Sequence, residues 1–261
     1  MESPVLVEQD PEGFALVTLN RPRKKNAFDD PQWDAAAAAL RNTRADGGIA
    51  AVVFTGAGGD FSAGVDLSSF TQRTPRDDGF ETGYDGFMAA LIEFDKPLIA
   101  AVRGVGIGIG CTFLLHCDFV YVGASTRLRM PFTSLGLVPE AASSYMLEAV
   151  VGARSAAELL LTAEWIDAAR AVEVGIATQG LPDDEVLDAA LAKARQLSAL
   201  PIESLQATKR TVLASRRAGV EAALIEEREG MARQAGSPEN LEAVKAFLEK
   251  RPADFRKLRE G

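Results

Sequence analysis

Two glycine-rich turns hold the residues best suited to chemistry. One reads Thr55-Gly-Ala-Gly-Gly-Asp-Phe-Ser-Ala-Gly-Val-Asp-Leu67. The other places Gly104, Gly106, Gly108 and Gly110 ahead of the apolar run 111–115. Glycine leaves the backbone uncovered and permits positive φ. A strand, a glycine turn and a helix start, in that order, expose N–H groups at the positive end of a helix. Such groups can hold a phosphate, or a carbonyl oxygen that becomes negative during a reaction. The spacing Gly-x-Gly-x-Gly is not the dinucleotide fingerprint, and no Gly-x4-Gly-Lys occurs. Close strand–helix packing alone explains the glycines of the second turn equally well.

The elements that must position these turns are legible around them. Each turn follows a short apolar run, 49–54 and 98–102, whose length and β-branched content suit a buried parallel strand. Loops at the ends of such strands are where α/β proteins hold ligands, so two glycine turns could place two donors around one point. Residues 14–19 and 119–122 predict further strands. Asp29 or Asp30 caps a helix with Pro31 in its first turn, running to about residue 44. Residues 68–84 are polar, hold Pro75 and Gly79, and predict an excursion that could cover a site. Helices are expected over 88–94, from Glu140 to 150, and over 155–161, 167–174 and 183–199. From 201 to 248 the pattern is helical with no strand signal, which divides the chain into a mixed core, 1–200, and a helical C-terminal region, 201–261.

Composition excludes several function classes. A net charge of −9 argues against a nucleic-acid surface and an anionic membrane. No apolar segment is long enough to span a bilayer, and the N-terminus carries no secretion pattern. Cys111 and Cys117 form no disulfide framework, so a reducing, cytoplasmic setting is expected. With His116, the sole histidine, they lack a fourth ligand pattern, and no metal site is expected. His116 reads as a hydrogen-bonded core residue. Asn20-Arg-Pro-Arg-Lys-Lys-Asn-Ala-Phe28 is a basic loop in an acidic protein, either solvated or a phosphate contact through Arg21, Arg23, Lys24 or Lys25.

Phe61-Ser-Ala-Gly-Val-Asp-Leu67, Lys96-Pro-Leu-Ile-Ala-Ala-Val-Arg-Gly104 and Leu135-Gly-Leu-Val-Pro139 together resemble the crotonase, or enoyl-CoA hydratase/isomerase, superfamily. The likeness runs over roughly 5–199. It implies an α/β fold, a crotonase-like spiral of ββα turns with a C-terminal helical trimerisation region, assembling as a homotrimer or a dimer of trimers. It implies an acyl-CoA thioester as substrate, with CoA part of that substrate and no separate cofactor. By position, the N–H groups of Val65 and Ile109 would hold the thioester oxygen as it becomes an enolate. Lys24, Lys25, Ala27, Ala63, Val65, Asp66 and Leu67 would meet the CoA moiety. Phe255 and Lys257 would do so from a neighbouring subunit. Asp66 is expected to shape the loop or the pocket, not to perform chemistry.

The sequence departs from the hydratases of that superfamily. Their two catalytic glutamates would map to Thr112 and Phe132, neither of which is a carboxylate. A carboxylate stands instead at Glu140, in Leu135-Gly-Leu-Val-Pro-Glu-Ala-Ala-Ser-Ser-Tyr145. That segment, with Met130-Pro-Phe-Thr-Ser134, resembles the peroxisomal-type Δ3,Δ2-enoyl-CoA isomerase branch, where the glutamate after the proline is the base. Without the likeness, Glu140 is a favourable first-turn helix residue. With it, Glu140 shifts a proton from C2 to C4 of a 3-enoyl-CoA, screened by Phe132 and Leu137. Ser143, Ser144 and Tyr145 are near enough in sequence to orient it. Other acyl-CoA chemistry, or non-catalytic acyl-CoA binding, are the competing readings.

Overall fold

In the computed structural model, residues 3–66 and 82–259 are described. The chain begins with a hairpin, β1 (Val5–Asp10) antiparallel to β2 (Phe14–Leu19). From β2 onward the main sheet is parallel, through β3 (Ala51–Gly56), β4 (Leu98–Val102), β6 (Phe119–Gly123) and β9 (Gln179–Leu181), in the order β1-β2-β3-β4-β6-β9. Every residue of β3 and β4 is buried, the signature of strands covered on both faces. One face packs Ala51, Val53, Ile99 and Ala101 against Val186, Ala190 and Ala194 of α7 (Val186–Ser198). The other face packs Val52, Phe54, Ala100 and Val102 towards α1 (Asp30–Ala45) and α2 (Gly83–Ile92).

A second, smaller sheet has the order β5-β7-β8: β5 (Val105–Ile107), β7 (Arg127–Arg129) and β8 (Trp165–Asp167). The chain therefore lays β4 in the large sheet and β5 in the small one, then β6 in the large and β7 in the small. This alternation is the expected ββα spiral. Ser62 pairs with Gly106 in the same sense, adding the first glycine turn to the small sheet.

Boundaries follow local chemistry. Asp29 caps α1 by accepting from the Gln32 N–H at 3.0 Å, with Pro31 in the first turn. Thr82 and Asp85 form a reciprocal capping box that starts α2 five residues ahead of the expected helix at 88. The run 111–115 lies in α3 (Ile109–Thr112) and the 3-10 turn that continues it, Phe113–His116. Then come α4 (Ser143–Val151), α5 (Ala153–Thr162) and α6 (Ala168–Glu173). The helical stretch after residue 201 divides into α8 (Ile202–Ala214), α9 (Arg217–Gln234) and α10 (Pro238–Leu248). Among the described residues no helix is long and apolar enough to cross a membrane.

One sequence expectation is corrected. Glu140 does not open a helix: α4 begins three residues later, and the intervening Ala141 and Ala142 are left-handed, with φ of 60° and 56°. Left-handed alanine costs roughly 1–2 kcal/mol per residue. The side chains of Tyr84, His116 and Glu227 hydrogen-bond the backbone of this segment.

Candidate active site

The two glycine turns lie against each other. The Phe61 and Ser62 N–H groups donate to Val105 O, and the Ile107 N–H donates back to Ser62 O at 2.9 Å. Gly64 (φ +88°) lies so near Ile107 that a Cβ there would meet its carbonyl oxygen at 2.7 Å. Only glycine allows this approach. The contact carries Val65 and Ile109 to the same place. The Val65 N–H has no acceptor among the described residues, although its neighbours do: Phe28 N–H bonds Gly64 O, and Asp66 N–H bonds Phe28 O. The Ile109 N–H, first in α3 after the left-handed Gly108, meets the Glu140 carboxylate.

Glu140 completes the arrangement. Its Oε1 is buried without a hydrogen-bond partner among the described residues, 3.4 Å from where a Cβ on Gly108 would sit. Burial raises its carboxyl to about 7, the Glu227 carboxylate adds to the rise, and the Ile109 N–H opposes it. A buried carboxyl in that range suits a general base at neutral pH.

The loop behind Glu140 is fastened on nearly every polar backbone atom. The Ala141 N–H donates to the Tyr84 hydroxyl at 2.8 Å, and His116 Nε2 lies 2.8 Å from Ala141 O. The Ala142 and Ser144 N–H groups donate to the two oxygens of Glu227, at 2.7 and 2.9 Å. Burial lowers the His116 pKa to about 4, so the ring is neutral at pH 7 and Nε2–H is the donor. His116 is thus the bonded residue expected, and its partner is the loop of the base.

The residues expected to orient Glu140 do not. Ser144 bonds Glu227, not Glu140, through its N–H and its side chain, and Ser143 Oγ has no partner among the described residues. Tyr84 and Glu227 were not apparent in the sequence. Glu227 does leave a trace. Buried residues of α9 fall at 220, 223, 227 and 230, a helical face with a glutamate in its middle.

Thr112 and Phe132 are both buried, and Thr112 Oγ1 donates to Gly108 O. Neither supplies a base. Leu137 is half-buried and packs against the same core.

Arg21 pairs with Asp29 at 2.8 Å and Asp66 at 3.1 Å and donates to Ala27 O, which ties the basic loop to the first turn. Asp66 is buried, with Arg21 as an ion-pair partner. The Ala63 N–H donates to Lys25 O, and Lys25 pairs with Asp60 at 3.2 Å while staying exposed. Lys24 is exposed at the end of a 3-10 turn. Leu67 and the expected excursion up to residue 81 lie outside the described residues. Lys257 is exposed and pairs with Asp254, and Phe255 is half-buried beside it. No hydrogen bond or ion pair joins them to Lys24 or Lys25 among the described residues. No cluster of metal-binding side chains occurs among the described residues.

The profile of the enoyl-CoA hydratase/isomerase family matches residues 9–258. The chain belongs to that family. It is 33% identical to a 2,3-dehydroadipyl-CoA hydratase of Escherichia coli (strain K12), over 92% of this chain and 94% of the relative. It is 31% identical to enoyl-CoA delta isomerase 2 of Rattus norvegicus, over 92% of this chain and 62% of that longer protein. A crystal structure of an enoyl-CoA hydratase/isomerase from Pseudoalteromonas atlantica T6c superposes with a TM-score of 0.91 at 36% identity, covering 97% of this chain and 99% of that one. The relatives' names span hydratases and isomerases. The family and the crotonase fold are thereby fixed, and with them an enzyme of acyl-CoA thioesters.

Proposed function

We propose that this enzyme is a Δ3,Δ2-enoyl-CoA isomerase with Glu140 as its single base. The observation that carries the reading is the buried Oε1 of Glu140, without a partner among the described residues, beside Gly108 and the Ile109 N–H. Glu140 removes a proton from C2 of a 3-enoyl-CoA. The thioester oxygen, negative in the dienolate, accepts from the Val65 and Ile109 N–H groups, an interaction that typically contributes 10²–10³ in rate per donor, to order of magnitude. The carboxylic acid so formed returns the proton to C4. One base suffices because the net change is a proton shift. Ile109 has a double role in this scheme. When the thioester oxygen takes its N–H, Glu140 loses the donor that held its pKa down and becomes the stronger base.

Hydration would need a second acid–base group, and Thr112 and Phe132 offer none. The likeness to enoyl-CoA delta isomerase 2 supports the isomerase reading. Lys24, Lys25, Ala27, Ala63, Asp66 and Leu67 are proposed to line the CoA site, with Phe255 and Lys257 supplied by a neighbouring subunit. Residues 201–261 are proposed as the oligomerisation region of a trimer. Val212, Ile225, Leu241, Phe247 and Leu248 expose apolar surface there. Conversion of 3-hexenoyl-CoA to 2-hexenoyl-CoA, wild type beside Glu140→Gln, tests the function. Turnover in the wild type that the substitution abolishes supports it. Acyl-CoA binding without turnover in the wild type contradicts it.

A further inference from the structure

Glu227 is a buried carboxylate from α9, remote in sequence from every residue of the proposed mechanism. Its two oxygens accept from the Ala142 and Ser144 N–H groups, within and just after the left-handed pair Ala141 and Ala142 that follows Glu140. Burial raises its pKa, while these two backbone donors and the Ser144 side chain favour its ionised form. Glu227 therefore does two things at once: it clamps the backbone that aims the base, and it sets a negative charge beside it.

The surroundings isolate this effect. From α2, Tyr84 faces Glu140 as a neutral phenol, held well above its ordinary pKa by burial and by both glutamates. Asp85 on the same helix pairs with Arg228 at 3.4 Å. From the 3-10 turn, His116 is neutral, and the cations Lys209 and Arg216 act on His116. From α3 comes the Ile109 N–H. Among the described residues, Glu227 is the charged side chain that acts on Glu140.

We infer that Glu227 is a positioning residue for the Glu140 base, clamping its loop and placing a like charge beside it. The inference rests on the isomerase reading for its kinetic test and on Glu140 alone for its spectroscopic one.

The kinetic test compares pH profiles of wild type and Glu227→Gln with 3-hexenoyl-CoA. Glutamine offers one acceptor where two N–H groups need one each, and it carries no charge. We expect kcat to fall about tenfold or more with KM little changed, since a loosened base costs transition-state geometry. We also expect the acidic limb of the profile to move to lower pH by about 0.5–1 unit, because a like charge has been removed. Glu227→Asp, which keeps the charge, should restore the limb while kcat stays reduced. A merely structural role would lower kcat without moving the limb, and that result overturns the inference.

If wild type shows no isomerase turnover, the isomerase reading fails and the inference is tested by titration. Carbon-13 NMR of glutamate-δ-labelled protein follows the Glu140 carboxyl, assigned by its loss in Glu140→Gln. Its midpoint should drop in Glu227→Gln. Coupling is reciprocal, so the Glu227 midpoint should drop equally in Glu140→Gln, which keeps the test alive if Glu227→Gln does not fold. Unmoved midpoints overturn the inference.

Discussion

Glu140 Oε1 stands against Gly108, at the distance where a side chain on that glycine would begin to crowd it, 3.4 Å from the missing Cβ. The next residue, Ile109, provides one of the two N–H groups proposed to hold the thioester oxygen. The base and the oxyanion donor, far apart along the chain, are thus neighbours in space, so a proton can leave C2 while its negative charge moves to a waiting donor.

The contact between the two turns is testable at Gly64. A Cβ there meets Ile107 O at 2.7 Å, and φ is +88°. Gly64→Ala should shift the Val65 N–H and cost about 10²-fold or more in kcat. It should also destabilise the fold by roughly 1–2 kcal/mol or more from the left-handed alanine alone. Rates and chemical denaturation on the same preparation check both. An unaffected rate would separate Val65 from the reaction.

Much of this arrangement was legible. Glycines after apolar runs marked two turns, because close backbone approach leaves its mark on residue type, and the family resemblance pointed to Val65 and Ile109 within them. The fully apolar 98–102 marked a parallel strand because both of its faces are covered. Glu140 was found as a chemical group, but its local structure was misread. A Pro-Glu pair before apolar residues has the pattern of a helix start, and nothing local encodes the left-handed turn. That turn is imposed by Tyr84, His116 and Glu227, which lie 57, 25 and 85 residues away from the atoms they bind. Glu227 sits among Glu226 and Glu229, and only its place on the apolar face of α9 separates it from its solvated neighbours.

Stability should respond to pH at Glu140. Its folded pKa, about 7, lies above the ordinary 4.5, so between these values the folded state holds a proton that the unfolded state has released. Stability from this group is full below the ordinary value and is lost as pH rises towards 7, by up to about 3 kcal/mol. Glu140→Gln should therefore be more stable than wild type at pH 8 and similar at pH 4. Equal melting temperatures at pH 8 would contradict a carboxyl whose ionisation burial opposes.

His116 should slope the other way. Its folded pKa, about 4, lies below the ordinary 6.5, so the unfolded state takes up the proton first. Stability is lost as pH falls from 6.5 towards 4, again by up to about 3 kcal/mol. The two slopes oppose each other over the shared range, so each emerges only when the other residue is replaced. His116→Gln, with an amide donor for Ala141 O, should lose this acid sensitivity and keep more activity than His116→Leu, which leaves that carbonyl unpaired. Equal activity of the two variants would show that the bond to Ala141 does not position the base.

The most direct test of the central claim is the rate of 3-hexenoyl-CoA isomerisation as a function of pH, for wild type and Glu140→Gln. The account predicts a wild-type acidic limb near pH 7, set by Glu140, and a loss of about 10³-fold or more in the variant at every pH, with its fold intact. A folded Glu140→Gln that retains near-wild-type turnover, with the same acidic limb, would contradict it.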